Sequence, residues 1–520
     1  MSKRSSFSDF SEKLYASLED FSSYLNSFKE TLKNVFSGQP YTLDPDFNRG
    51  LSREYQRQIM TSKPLAAFIP EEYGGRGVNM KECLSILETS SYQSLPLSLM
   101  LGINGGLFLQ PIGKYGTREV KEDVFYKFLY QDNMGGLMIT EPQYGSDALH
   151  MQTQYEETEN SYKIKGTKHW AGLTGWANYW LLTARKKTAD GQLARDVDFF
   201  VYDASTPGLN VTEYYQNLGL HILPYGRNAI DAEVPKQNKL IPQKNGVMMM
   251  LDILHRSRLQ FPGMAMGYLR RMLDEAVDHC RNRYVGGKSL IEYDQVKHRI
   301  SSLQAYFTTC SAMCAYTAQH GGVEKDLSRD DIPANSIKSV ITDYMHEAAQ
   351  SLLQLVGAKG YRLDHIAGRS IVDSRPFQIF EGSNDILYQQ VAESVIKQMK
   401  KYKLNNLYEF LTRFELTTHA SDYFKDSLNF EVNLKIAQNR IVELGKVLGR
   451  VLSLEMVLKM QGTGFNSDLI NQCVDHLKHE VDSLVASLHG MKTPALVDDY
   501  ASTPHWSNHL SDNPARELRG

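Results

Sequence analysis

The chain has 520 residues, of which 42% are hydrophobic and 22% charged, with a formal net charge of −3. That length supports several cores without disulfides or metal and predicts about three domains. The near-neutral balance lacks the Lys/Arg excess that nucleic-acid phosphates demand, so no nucleic-acid partner is expected. Residues 1–36 lack the apolar core of a signal peptide, and Asp9, Glu12, Glu19 and Asp20 argue against a transit peptide. No stretch approaches the roughly 18 consecutive apolar residues of a membrane span. A soluble cytoplasmic protein is expected. Cys83, Cys280, Cys310, Cys314 and Cys473 are expected as free, mostly buried thiols. Cys310 and Cys314 would share a helix face, but two further ligands are missing, so no metal site is expected. His476 and His479, one helical turn apart, are expected on a solvated face.

In chain order, Phe7, Phe10, Leu14, Leu18, Phe21, Leu25, Phe28 and Leu32 recur at spacings of three and four, which predicts one amphipathic helix. Ser37, Gly38 and Pro40 end it. Helical patterning continues from Leu51 to Lys127, broken by the turn cluster Pro70–Gly77. Between Gly135 and Pro242 the texture changes to short runs such as Tyr162–Lys165, Tyr179–Thr183 and Val197–Tyr202, parted by Gly166, Gly191 and Gly208. Those runs predict an antiparallel barrel or sandwich. Helical periodicity returns after Asn245 and runs to the end. Near the C-terminus, Leu434, Ile441, Leu444, Leu448, Val451 and Leu458 mark one side of a further helix. The tail from Thr493 is polar and expected on the surface. The fold class is α+β with segregated parts: an N-terminal helical domain (1–134), a central β domain (135–244), a C-terminal helical bundle (245–400) and an additional helical extension (401–520).

No G-x-G-x-x-G follows a strand and opens a helix, and no Walker A, H-E-x-x-H or G-x-S-x-G string occurs. Composition and periodicity therefore stop at a large α+β protein. Four collinear strings carry the chemistry. They are Phe68–Gly77; Met138–Asp147 followed by Gly166-Thr-Lys-His-Trp170; Arg283 with Gly287–Tyr293; and Gln354–Leu387, which contains Phe380-Glu-Gly-Ser-Asn-Asp-Ile-Leu387.

Together these strings resemble the acyl-CoA dehydrogenase family over about residues 65 to 400. The resemblance implies a helical domain, a β domain and a four-helix bundle, with FAD held between the β domain, the bundle and a neighbouring subunit. It places Met138, Thr140, Ser146 and Trp170 on the flavin and its pyrophosphate. Gly172 stands where the family has a Thr or Ser reaching flavin N5, a departure that bears on redox tuning. Arg283, Gln354 and Gly357 are implied at the ADP part across a dimer interface, with Arg281 as a competitor for the phosphate role. Ser383 and Asp385 follow at the cofactor.

By the same resemblance Glu381 is the base that takes the α-proton of an acyl-CoA thioester, and Gly382 lets the turn hug the substrate. Arg258 and Ser146 complete the substrate contacts. Some relatives place the base one residue before that arginine, but Ser257 stands there and serine cannot serve. His255 replaces the usual Asn or Asp of the CoA arm, and Arg369 and Asp373 are expected in structural ion pairs. The extension is similar to that of very-long-chain members. In those members such an extension goes with membrane attachment and with dimers rather than tetramers; here a homodimer or a homotetramer is expected, and an ordinary packed helix is a simpler expectation than contact with a membrane surface. The implied function is conversion of an acyl-CoA to its trans-2-enoyl-CoA, with electrons passed to an electron-transfer flavoprotein. The alternatives are an acyl-CoA oxidase or nitroalkane-oxidase-like enzyme, and a non-catalytic DNA-binding relative of the alkylation-response branch.

Overall fold

The computed structural model describes residues 20–37, 51–432, 437–493 and 495–498. Six helices lead: α1 (Phe21–Ser37), α2 (Arg53–Thr61), α3 (Met80–Gln93), α4 (Leu95–Asn104), α5 (Gln110–Tyr115) and α6 (Arg118–Tyr130). Asn79 and Thr117 accept main-chain N–H groups at the starts of α3 and α6, which is why the apolar patterns begin there. Helix α1 buries Phe28, Leu32 and Val35. The upstream stripe of Phe7, Phe10, Leu14 and Leu18 lies outside the described residues, as do Gly38 and Pro40. The segment Leu95–Tyr115, continuous through a π-turn at Gly105–Leu109, is long and apolar enough to span a membrane, yet most of it is buried inside the protein. It is the spine of the helical core.

Seven strands follow: β1 (Gly135–Met138), β2 (Gln154–Glu157), β3 (Ser161–His169), β4 (Tyr179–Lys186), β5 (Asp198–Asp203), β6 (Leu209–Tyr214) and β7 (Gly226–Pro235). They form one sheet in the order β1-β4-β2-β3-β7-β6, with β5 also on β4. Antiparallel pairing joins β2, β3, β7 and β6 in turn, and β4 with β5. The antiparallel expectation fails at β4, which runs parallel to both β1 and β2. The long excursions between those strands make this pairing feasible, since only a tight hairpin enforces antiparallel neighbours.

The chain then returns to helices: α7 (Gly246–Asn282), α8 (Asp294–His320), α9 (Asp331–Val356), α10 (Ile366–Ser374), α11 (Asn384–Tyr402), α12 (Leu407–Leu411), α13 (Gln438–Leu458) and α14 (Ser467–Gly490). One small hairpin, β8 (Tyr284–Val285) with β9 (Lys288–Ser289), interrupts the expected all-helical run. Gly286 and Gly287, both at positive φ, form its tight turn. Helices α7, α8, α9 and α11 pack as a bundle, and α13 and α14 lie against it.

Helix α13 buries nearly every residue from Leu444 to Val457, including Arg450 and Glu455. Its apolar stripe is consumed by packing, which leaves no apolar face on that helix for a membrane surface. Leu434 of the expected stripe lies outside the described residues. A Cβ on Gly445 would stand 2.0 Å from the Tyr388 carbonyl, so glycine is what lets α13 touch α11. On α14, His479 is exposed as expected, whereas His476 packs edge-on to Tyr306 beside Glu480. Four of the cysteines are buried and Cys314 is half-buried.

Candidate active site

The site forms where the turn between α10 and α11 meets α7, α9 and the sheet. That turn carries Glu381 at φ +54° and Gly382 at φ +93°. A glutamate in the left-handed region is strained, so surrounding contacts must hold it there. Arg258 on α7 donates from Nε to the Glu381 carbonyl at 3.0 Å and from Nη1 to Asn335 Oδ1 at 2.7 Å. Lys338 on α9 donates to the Gly382 carbonyl at 2.8 Å and to Asn384 Oδ1 at 2.9 Å. Gly382 leaves room for these donors, because a Cβ there would lie 2.8 Å from Leu387 Cδ2 and 3.2 Å from Arg258 Nη2. Phe261, Phe377 and Phe380 pack around the turn and keep one flank apolar.

Backbone contacts thus fix the turn, while the carboxylate is treated differently. Glu381 Oε2 is buried and accepts no hydrogen bond. Burial raises the carboxyl pKa, and the Ser257 hydroxyl and the charges of Arg258 and Lys338 offset only part of that rise. Burial likewise brings Lys338 down to about 7 and Arg258 down to about 10, with the Glu381 charge acting in the opposite direction on both.

The sheet carries a second buried network. Lys168, fully buried, donates to the Ile139 carbonyl at 2.9 Å, to Glu141 Oε1 at 2.9 Å and to Thr183 Oγ1 at 3.0 Å. Glu141 in turn accepts the main-chain N–H groups of Gln152 and Thr153. This closed network fixes the loop holding Thr140, whose carbonyl accepts from the His169 N–H at 3.0 Å. Met138 is buried in β1, and its carbonyl accepts from Thr183. Trp170, at φ +56° and 52% exposed, presents its ring beside Tyr215 and Tyr225. Tyr225 lies against Trp170 and within reach of the Glu381 charge. A Cβ on Gly172 would approach Ile103 Cδ1 to 2.8 Å and Tyr225 Cε1 to 3.5 Å, so apolar groups crowd that position.

Three family models match the chain in order: the acyl-CoA dehydrogenase N-terminal domain at residues 29–131, the middle domain at 136–232 and the C-terminal domain at 244–396. The chain belongs to the acyl-CoA dehydrogenase family. It is 25% identical to an acyl-CoA dehydrogenase of Bacillus subtilis (strain 168) over 323 residues, 61% of this chain and 83% of that protein. In fold it is similar to butyryl-CoA dehydrogenase from Megasphaera elsdenii, with a TM-score of 0.64 and 20% identity over 73% of this chain and 99% of that one. An acyl-CoA dehydrogenase complexed with FAD from Bacillus anthracis matches with a TM-score of 0.72 and 18% identity, over 91% of this chain and 89% of that one. As a family member the chain is an FAD-dependent oxidoreductase acting on acyl-CoA.

The residues present fit that cofactor. A half-exposed indole ring at Trp170, a half-buried threonine in a loop held by Lys168 and the unpartnered carboxylate oxygen of Glu381 are groups suited to a flat ring with a thioester beside it. Among the site residues expected of an acyl-CoA dehydrogenase, Arg258, Glu381 and Gly382 meet at one turn, Trp170 and Gly172 lie beside Tyr225, and Thr140 stands in the loop that Lys168 holds. Ser383 precedes α11 and Asp385 lies exposed in its first turn. Ser146, Arg283, Gln354 and Gly357 are exposed, and no contact among the described residues joins them to Glu381. Arg281 is exposed as well.

His255 is buried, with Nδ1 2.8 Å from the Leu327 carbonyl and its pKa lowered to about 4, so it is a neutral packing group. Asp373 accepts the Leu220 N–H at 2.6 Å and so pins the 220s loop to α10, with the Arg369 charge nearby. Lys338, Asn335 and Tyr225 belong to the site although no sequence motif singled them out, whereas Asn384 lies in the Phe380–Leu387 string and Ser257 directly precedes Arg258. Lys338 did leave a signal, as the one charge between Asp331 and Asp343 on an otherwise uncharged helical stretch.

Proposed function

We propose that this chain oxidises a fatty acyl-CoA to the trans-2-enoyl-CoA with Glu381 as the base. The observation that carries this reading is Glu381 Oε2, a carboxylate oxygen buried without a partner in a pocket that also raises the pKa of its acid. Such a group is a stronger base than an exposed glutamate and is free to meet a C–H bond. Bound FAD supplies the hydride acceptor. Glu381 takes the α-proton, Arg258 and Lys338 hold the turn that presents it, and Phe261, Phe377 and Phe380 exclude water. The Gly382 turn carries main-chain N–H groups suited to a developing thioester oxyanion.

Thr140 and Trp170 would hold the ring end of FAD. Ser146, Arg283, Gln354 and Gly357, exposed on one chain, would hold its phosphates and adenosine where a second subunit closes the site. The working protein is then a homo-oligomer, and its electrons pass to an electron-transfer flavoprotein. The extension favours long acyl chains, by its likeness in placement to that of very-long-chain members. Gly172 favours a second reading in which oxygen is the acceptor, because no side-chain hydroxyl stands at that position.

The decisive experiment is anaerobic addition of octanoyl-CoA and palmitoyl-CoA to the yellow protein. Bleaching by either, lost in Glu381→Gln, supports the class and the base together. Retention of full colour with both removes this reading. Rapid peroxide formation in air would select the oxidase reading instead.

A further inference from the structure

The extension reaches the catalytic turn through a buried chain of hydrogen bonds. Gln378 and Asn384 stand one on each side of Glu381. Both donate to the same oxygen, Asp343 Oδ1 on α9, at 2.8 and 2.7 Å. The other oxygen of that carboxylate, Oδ2, accepts from the Tyr388 hydroxyl at 2.7 Å. Tyr388 in turn accepts from Arg450 Nη1 at 2.5 Å, and Arg450 Nη2 lies 3.8 Å from Asp343 Oδ2. Arg450 belongs to α13, outside the region that the family models match.

Its guanidinium is held between the Tyr344 and Tyr388 rings, at 5.3 and 5.7 Å from their centroids. Glu480 on α14 lies 3.4 Å from Arg450 Nε and accepts from the Tyr344 hydroxyl at 2.5 Å. Every member of this chain is buried or half-buried. In such surroundings a planar guanidinium with fixed donors orients its partners more strictly than a flexible ammonium would.

We infer that the C-terminal extension is part of the catalytic apparatus: Arg450, through Tyr388 and Asp343, is a positioning residue that clamps both shoulders of the turn carrying Glu381. Asp343 alone could bind the two amides, but without the Tyr388 hydroxyl its second oxygen would be free to tilt. The arginine, through the Tyr388 hydroxyl, fixes its orientation. The extension therefore stiffens the turn that carries the base. The inference rests on the acyl-CoA reading only for its catalytic consequence, since the clamp itself is independent of substrate.

The test uses full-length protein with FAD bound, as wild type, Tyr388→Phe and Arg450→Lys. Tyr388→Phe keeps the ring and removes the bridging hydroxyl, so it is the variant least at risk of misfolding. Two readouts are taken: amide hydrogen exchange of the peptide spanning 376–387, and the limiting rate of anaerobic flavin bleaching by acyl-CoA. Loss of one buried hydrogen bond should speed exchange of the turn about ten-fold. The limiting rate should fall by a similar factor, about ten-fold, with the half-saturating thioester concentration and the FAD content unchanged. Arg450→Lys should fall between wild type and Tyr388→Phe. Unchanged exchange in both variants overturns the clamp, whatever the activity. Faster exchange with an unchanged limiting rate overturns its catalytic role. Faster exchange in the variants of a protein that no thioester bleaches would remove the acyl-CoA reading and leave the clamp standing.

Discussion

Arg258 grips Glu381 by the main chain: its Nε donates to the Glu381 carbonyl at 3.0 Å, while the carboxylate oxygen Oε2 of the same residue is buried and unbonded. Position and reactivity are thus set by different contacts. A guanidinium bonded directly to the carboxylate would hold the proton affinity low, whereas one bonded to the backbone fixes the turn and acts on the acid only through space.

This separation predicts opposite effects of Glu381→Gln on rate and on stability. Turnover should fall by about 10²- to 10⁴-fold, the usual contribution of a positioned base. Burial holds the Glu381 pKa above the ordinary carboxylate value, so the folded protein binds that proton more tightly than the unfolded chain does. The associated stability is complete below the unfolded pKa and is lost as pH rises through the folded one. Thermal melting should therefore show Glu381→Gln gaining on wild type at pH 8 and gaining nothing at pH 4. The wild-type rate should climb with pH through the same raised pKa.

Lys338 gives the reverse pH signature. Its pKa is lowered to about 7 by burial, so the unfolded chain binds this proton more tightly than the folded protein. Wild-type stability should rise as pH increases from about 7 toward the ordinary lysine value near 10.4. Lys338→Met loses the bonds to Gly382 and Asn384 at every pH but removes the charging penalty. Its melting temperature relative to wild type should be more favourable at pH 6 than at pH 9, and its limiting rate should fall at both. A pH-independent difference in melting would show that Lys338 does not titrate in this range.

On the sheet side, Lys168→Met would leave Glu141 buried without its counter-charge. Removing one partner of such a pair costs about 3–5 kcal/mol. Urea unfolding should show a loss of that size. FAD should be retained less well on gel filtration, because the Thr140 loop loses its anchor at the Ile139 carbonyl.

Docking of the extension is testable at one atom. Gly445→Ala would drive a Cβ to 2.0 Å from the Tyr388 carbonyl, forcing α13 away from α11. Overpacking of this kind costs about 1–3 kcal/mol. Gly490→Ala, with nothing within 4 Å of its added Cβ, should melt like wild type. Equal melting of the two variants would mean that α13 does not pack on α11 as described.

Much of the architecture was legible from periodicity. The runs Tyr162–Lys165 and Tyr179–Thr183 fall inside β3 and β4, and the Leu444, Leu448 and Val451 spacing lies on the buried side of α13. Strand direction was not legible, because a run of apolar residues states that a strand is buried but not which neighbour it meets. The β8–β9 hairpin was missed for a related reason: two-residue strands are too short to show a period, although Gly286-Gly287 marked the turn. His255 and His476 look alike in sequence to solvated or ligand-binding histidines, and only packing shows one against the Leu327 carbonyl and the other against Tyr306.

By itself the sequence determined the family, the order of helices, strands and helices, and the placement of Glu381 in a Phe-Glu-Gly-Ser string, since these depend on residues close together in the chain. Only the tertiary structure decided that Lys338 and Asp343 converge on that string, that Arg258 grips it by the main chain, and that Arg450 stands behind them. Their sequence separations are set by helix lengths and crossing points, and a local pattern holds no record of either. The pKa of Glu381 follows the same division. Its chemistry is that of any glutamate, and its basicity comes from burial by residues far away in the chain.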